Sequence, residues 1–235
     1  MSLTRRALSR LLLATGGGVL LLLLTRPRTV APLPTAPLTV LAALGEMSLI
    51  PRAAWEATPP NHNARGERGL YDARRNPAGW LRYPEPLSEV LTTLVVHHSA
   101  LPVGDGPREI QRKHMEQRGF ADIAYHFVID PAGQLYEGRE LGVRGAHTAG
   151  HNTGTVGVVL LGNFEIEKPQ SAPMETLERL ARTLQEQYAI THLAGHRDFM
   201  PGETVCPGQS LAPRLPELAA RLGLEFGIGG YRPPP

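Results

Sequence analysis

Between Leu91 and His98 the chain is a run of aliphatic and β-branched residues that ends in a histidine pair, His97-His98. Apolar residues at consecutive instead of alternate positions are the pattern of a strand covered on both faces. A sheet built around such a strand needs layers of helix, and the rest of the chain supplies them in alternation. Residues 107–117 read as a helix, with Pro107 suited to its first turn and Gly119 just past its end. Residues 124–130 and 134–137 read as two strands of a hairpin about the turn Pro131-Ala132-Gly133. A further buried strand covers residues 155–161. Leu177, Leu180, Leu184 and Tyr188, at steps of three and four, mark an amphipathic helix over 175–188. A last strand at 190–193 hands on to Gly195-His196, and a last helix at 216–222 is closed by Gly223. Strands interleaved with helices indicate an α/β or α+β sheet domain covered by helices.

The two ends of the chain read differently. Five arginines and no acid fall within residues 1–45, so removing them from the net charge of +2 leaves −3 on the remainder. The sequence pI of 8.9 is therefore no footprint for nucleic acid. Thr4-Arg5-Arg6 followed by a leucine-rich run to Leu24 reads as an export signal over residues 1–25. Its paired arginines fit a twin-arginine signal or the positive region of a general secretory one. The run is short of the roughly 20 apolar residues of a spanning helix, and without a clean cleavage site a retained membrane anchor stays open. These readings place the protein in the periplasm or cell envelope, anchored or secreted. Residues 26–47 read as a Pro-rich extended linker, 48–224 as the folded domain and 225–235, rich in Gly and Pro, as a disordered tail. Trp55 reads as a packing anchor. The polar connection after it, residues 56–83 with Trp80, is a surface loop or a groove wall.

Chemistry concentrates in two segments, the His97-His98 strand end and Gly195-His196-Arg197-Asp198 running on to Thr204-Val205-Cys206-Pro207-Gly208. Cys206 is the only cysteine, which leaves no intramolecular disulfide and makes metal ligation a reason for its presence. Two imidazoles and a thiolate form a three-ligand set for Zn²⁺, and three protein ligands leave a fourth tetrahedral position for water, as catalytic sites do.

Several separate segments, in order, carry a resemblance to a known family. They are Ile50-Pro51-Arg52-Ala53-Ala54-Trp55; Val95-Val96-His97-His98-Ser99; Ile110-Gln111-Arg112-Lys113-His114; Asp122-Ile123-Ala124-Tyr125-His126-Phe127; Tyr136-Glu137-Gly138-Arg139; Gly145-Ala146-His147-Thr148 with Asn152; Val156-Gly157-Val158; Gly195-His196-Arg197-Asp198; and Cys206-Pro207-Gly208. Over residues 50–211 the chain resembles the zinc-dependent N-acetylmuramoyl-L-alanine amidases that include the peptidoglycan recognition proteins. The resemblance implies a single α/β domain with a central mixed β-sheet flanked by helices, one zinc held by His97, His196 and Cys206, and peptidoglycan as partner. It implies catalytic roles for Tyr125, beside the metal water, and Thr204, facing the substrate carbonyl. His147, Thr148, His151 and Asn152 then fall in the substrate groove, and Arg144 is placed to pair with a stem-peptide carboxylate. His98 becomes support or packing, and Arg197 with Asp198 braces for the His196 segment. Val159 stands where the recycling branch of the superfamily has a glutamate, and residues 200–203 lengthen the loop before Thr204. The implied activity is hydrolysis of the amide between N-acetylmuramic acid and L-alanine. The alternatives are a recognition module that binds without cutting and a structural zinc fold with a fourth protein ligand.

Overall fold

The computed structural model of the protein describes residues 38–64, 66–67, 82–101, 104–229 and 231. Residues 1–37, which hold the export signal and most of the linker, lie outside the described residues, as do Trp80 and the last four residues. Helix α1 spans Leu38–Glu46, inside the stretch read from sequence as an extended linker. The prolines end at Pro37, and the proline-free residues that follow can close helical hydrogen bonds. Leu44 is buried in the main core, with Met47 packed beside it, so this segment belongs to the folded domain. A 3₁₀ turn over Arg52–Trp55 follows, and Trp55 is buried with its indole N–H donating to Glu137 O at 2.9 Å.

A single helical turn, α2 (Leu87–Val90), leads into strand β1 (Thr93–His98), every residue of which is buried. Helix α3 (Pro107–Gln117) runs over the residues the sequence marks out. Strands β2 (Phe127–Ile129) and β3 (Leu135–Glu137) pair antiparallel as a hairpin. Strand β4 (Thr155–Leu160) is buried throughout. Helix α4 (Ser171–Gln187) begins four residues before the start at 175 that the sequence suggests, with Pro173 accommodated in its first turn. Strand β5 (His192–Gly195) passes directly into the short helix α5 (His196–Phe199). Helix α6 (Leu215–Leu222) ends on Gly223, whose φ of +68° is the left-handed cap a glycine adopts without strain. Strand β6 (Glu225–Phe226) completes the sheet.

Among the described residues the sheet order is β3-β2-β4-β1-β5-β6, parallel except for β3. Ile50 bridges to Tyr136 beyond β3, covering that edge. Alternation along β1 separates two faces. Leu94 and Val96 join the core with Leu177, Leu180, Ala181 and Leu184 of α4 and with Leu215 and Leu218 of α6. Val95 points the other way, to Ala194 and to Phe199 of α5. Burying each such leucine contributes roughly 1.5–3 kcal/mol, offset by ordering entropy. The sheet is thus a layer between α1, α4 and α6 on one side and α3 and α5 on the other, the mixed sheet flanked by helices that the resemblance implies.

The tail differs from its sequence reading. Glu225 and Phe226 pair parallel with His192 and Leu193, and Gly227 N donates to Leu193 O at 2.9 Å. Tyr231 packs its ring on His151 and Phe199 at 5.2 and 5.3 Å. Residues 225–229 and 231 are therefore fixed to the domain, because the free edge of β5 offers backbone partners that composition does not reveal.

Candidate active site

The site lies where strands end. In open parallel sheets, ligands bind outside the carboxyl ends of the strands, and here β1 and β5 are neighbours with Val96 opposite Gly195. The next residue of each is His97 and His196, whose ring centroids stand 4.6 Å apart. His97 follows the alternation to the α5 face, whereas His98 turns to the opposite one and accepts from Phe164 N through Nδ1 at 3.2 Å. His196 opens α5, and Asp198 Oδ2 accepts from Gly195 N at 2.7 Å to fix that corner. The following loop is folded back onto it. Arg197 N donates to Cys206 O at 2.9 Å, the Arg197 guanidinium reaches Val205 O, and Cys206 N donates to Thr204 Oγ1 at 3.2 Å. The Cys206–Pro207 peptide is cis, and Pro207 sits so close to Gly195 that a Cβ there would meet its Cδ at 2.9 Å.

One donor atom from each of His97, His196 and Cys206 falls within 4.8 Å of the others. Cys206 Sγ is 3.6 Å from His97 Nδ1. Tetrahedral zinc with Zn–S near 2.3 Å and Zn–N near 2.1 Å separates two such ligands by about 3.6 Å. His196 Nε2 is buried without a hydrogen-bond partner, and in the neutral ring its lone pair is of the kind a cation takes up. His98 N, 3.4 Å from Cys206 Sγ, is a donor for the sulfur. The donor set fits zinc chemically and sterically.

The electrostatics point the same way. Burial holds His97 well below its ordinary range, and the neighbouring rings of His147 and His196 add to it. Burial, then Arg118 and His98, lowers His196 to about 4. Both imidazoles are neutral at pH 7 with lone pairs available. Burial pushes the Cys206 thiol up to about 12, against smaller opposing effects from the His98 N–H and Arg197. The protein alone does not stabilise a thiolate here; a bound cation would.

Tyr125 sits just before β2, which is shorter than the strand expected from 124, and its ring centroid is 5.0 Å from that of His97. Burial first, then the Cys206 sulfur, raises its phenol above the ordinary range, so it stays a proton donor. Thr204 is half-buried and shares a cavity of about 680 Å³ with Arg197, Val205 and Phe226. His151 meets the Tyr231 ring edge-on at 5.2 Å between centroids, and the Arg144 charge reaches the Tyr231 phenol, opposing the upward shift that burial gives it. Arg144 Nε is buried without a partner.

Three residues read as groove-lining are buried. Thr148 is fully buried and Asn152 nearly so. Asn152 Oδ1 accepts from His147 N at 2.7 Å and from Thr148 N at 2.8 Å, which uses it up inside its own turn. His147 is buried with Nδ1 3.1 Å from His97 Nε2. A polar glycine-rich loop reads as a surface in sequence; only the packing reveals which way its side chains turn. Sequence reasoning also assigned nothing to His114, whose Nδ1 accepts from Ala124 N at 3.0 Å and whose ring lies 5.5 Å from Tyr125. Its signal was available, since Pro107, Ile110, Gln111 and His114 form one inward stripe of α3. Arg139, buried against Glu67, braces the same segment through Ile123 O at 2.8 Å.

Peptidoglycan-recognition and amidase domains of known structure share this fold. One of these, peptidoglycan recognition protein LE in complex with tracheal cytotoxin, a monomeric diaminopimelic acid-type peptidoglycan, is 26% identical with a TM-score of 0.58, over 75% of this chain and 95% of that one. The chain belongs to the N-acetylmuramoyl-L-alanine amidase family, whose model matches residues 87–209. Peptidoglycan-recognition protein SD of Drosophila simulans is 29% identical over 184 residues, 74% of this chain and 87% of that protein. The N-acetylmuramoyl-L-alanine amidase of Sus scrofa is 33% identical over 186 residues, 72% of this chain but only 27% of that longer protein.

Proposed function

We propose that the chain is an exported zinc hydrolase that cleaves the amide between N-acetylmuramic acid and L-alanine of peptidoglycan stem peptides. The observation that carries this reading is Cys206 Sγ standing 3.6 Å from His97 Nδ1, with His196 completing the donor set. Zinc, when bound there, supplies a water acidified to a pKa of about 7 and a Lewis acid for the amide carbonyl. His97 and His196 contribute neutral nitrogens and Cys206 its sulfur. The Tyr125 phenol, kept protonated by burial, donates a hydrogen bond to the carbonyl oxygen as negative charge develops on it. Thr204 Oγ1 accepts from Cys206 N, which leaves its O–H proton to donate to the same oxygen. The leaving amine needs a proton. Val159, opposite His97 in the β1–β4 register and fully buried, offers none, and the protonated Tyr125 phenol, whose ring centroid is 5.0 Å from that of His97, takes that role.

Arg144, with a buried and unpartnered Nε, is the group for a stem-peptide carboxylate. Peptidoglycan as partner is supported by the relative bound to tracheal cytotoxin. Among the described residues no helix is long and apolar enough to cross a membrane; export, or anchoring, falls to residues 1–25, with a tether from 26 to 37. The competing reading, a module that binds without cutting, draws on relatives named recognition proteins. Zinc-loaded protein incubated with muropeptides should release free L-alanine amino termini, and Cys206→Ala should abolish release while leaving binding measurable. Undiminished release by that variant would defeat the ligand assignment, and binding without release by the native chain would favour the recognition module.

A further inference from the structure

We propose that His147 is the positioning residue for His97: its Nδ1 accepts a hydrogen bond from His97 Nε2 and so fixes which nitrogen of His97 faces the metal. The inference rests on the zinc reading above. His97 Nδ1 lies toward Cys206 Sγ at 3.6 Å, and His97 Nε2 lies toward His147 Nδ1 at 3.1 Å. A neutral imidazole that gives its Nδ1 lone pair to a cation carries its proton on Nε2, and that N–H requires an acceptor. His147 Nδ1 is that acceptor, which places the proton of His147 on its own Nε2, 3.5 Å from Thr155 Oγ1. The Thr155 hydroxyl donates onward to Asn152 O at 2.9 Å. Thr148 Oγ1 lies 3.0 Å from the same His147 Nδ1, and its hydroxyl can turn its proton away and leave the single lone pair to His97. Each group in the row then has a protonation state consistent with its neighbours.

The surroundings hold His147 to this task. A Cβ at Gly157, in the middle of β4, would stand 2.3 Å from His147 Cδ2, and one at Gly145 would stand 2.5 Å from the same atom. A glycine inside a strand weakens it and marks a close approach; here the approaching group is this ring. Asn152 ties down the backbone of the ring's own turn. The side chain has little exposure through which to meet substrate, so its remaining chemistry is directed at His97.

The test compares His147→Phe, which fills the slot without an acceptor, with His147→Asn, whose amide oxygen stands near the position of Nδ1. Zinc affinity is measured by chelator competition and site geometry by the visible absorption of the cobalt-substituted protein. His147→Phe should weaken zinc binding about 10- to 100-fold and alter the cobalt bands, and His147→Asn should recover much of both. In the zinc-loaded native protein, ¹⁵N NMR should show the His97 proton on Nε2 and a scalar coupling from that nitrogen to His147 Nδ1, a readout that does not depend on either variant folding. Equal zinc affinity in the native and Phe proteins, or a His97 proton on Nδ1, would overturn the proposal. A native chain that takes up no zinc defeats the zinc reading, and this inference with it, before any variant is compared.

Discussion

Burial outweighs the smaller effects of the His98 N–H and Arg197 at Cys206, so its thiol is pushed up to about 12 while His196 is held down at about 4. Of the three donors, only the thiol must then lose a proton when a metal binds in the neutral range. Zinc affinity is expected to rise about tenfold for each unit of pH from about 5 to 6.5, below the ionisation of the metal-bound water, with one proton released per ion, as calorimetry in buffers of different ionisation enthalpy would measure. A slope of two below pH 6.5 would mean that a histidine is also being deprotonated, contrary to the environment described here. The types of these donors were legible in the sequence: a lone cysteine and histidines at strand ends. The roles of His147 and Asn152 were not, because the same loop residues can face solvent or core, and a hydrogen bond between positions 97 and 147 has no local signal.

Gly157 in β4 and the Gly227–Tyr231 tail show how elements carry the site. Gly157→Ala puts a methyl group against the His147 ring, and overpacking of that kind costs about 1–3 kcal/mol. Chemical denaturation should register that loss, together with weaker metal binding; an unchanged midpoint would mean that the ring moves aside freely. Ending the chain after Leu224 removes β6 and the Tyr231 ring from His151 and Phe199. Aromatic pairs contribute about 0.5–1.5 kcal/mol beyond their buried area, so truncation should lower the melting temperature by several degrees, whereas a loose tail would leave it unchanged. Strands β1 and β4 and helices α3, α4 and α6 were legible because length, periodicity and caps are local. Helix α1 and strand β6 were not: α1 is too short to be stable alone and follows a proline-rich run, β6 is two residues long, and each is stabilised by a neighbour distant in sequence, α4 for one and β5 for the other.

Across the molecule, interior histidines link folding to acid. Burial lowers His114 to about 3 and His126 to about 4 from an ordinary 6.5. Between pH 6.5 and 4 the unfolded chain therefore binds protons that the folded one refuses, and stability falls as pH falls through that window. Each ring contributes on the order of 3 kcal/mol to that loss. Urea midpoints of the metal-free protein should drop steadily from pH 7 to 5, and a flat profile would contradict the burial of these rings. The sequence by itself determined the layered α/β class, the identity of the chemical groups and the family to which they belong, because hydrophobic period and residue type are properties of contiguous stretches. Only the tertiary structure decided that His97, His196 and Cys206 meet, that His147 turns inward to His97, and that both flanks of the domain are ordered against it. Those outcomes depend on strand register and on space left by glycines, which exist only once distant segments have packed.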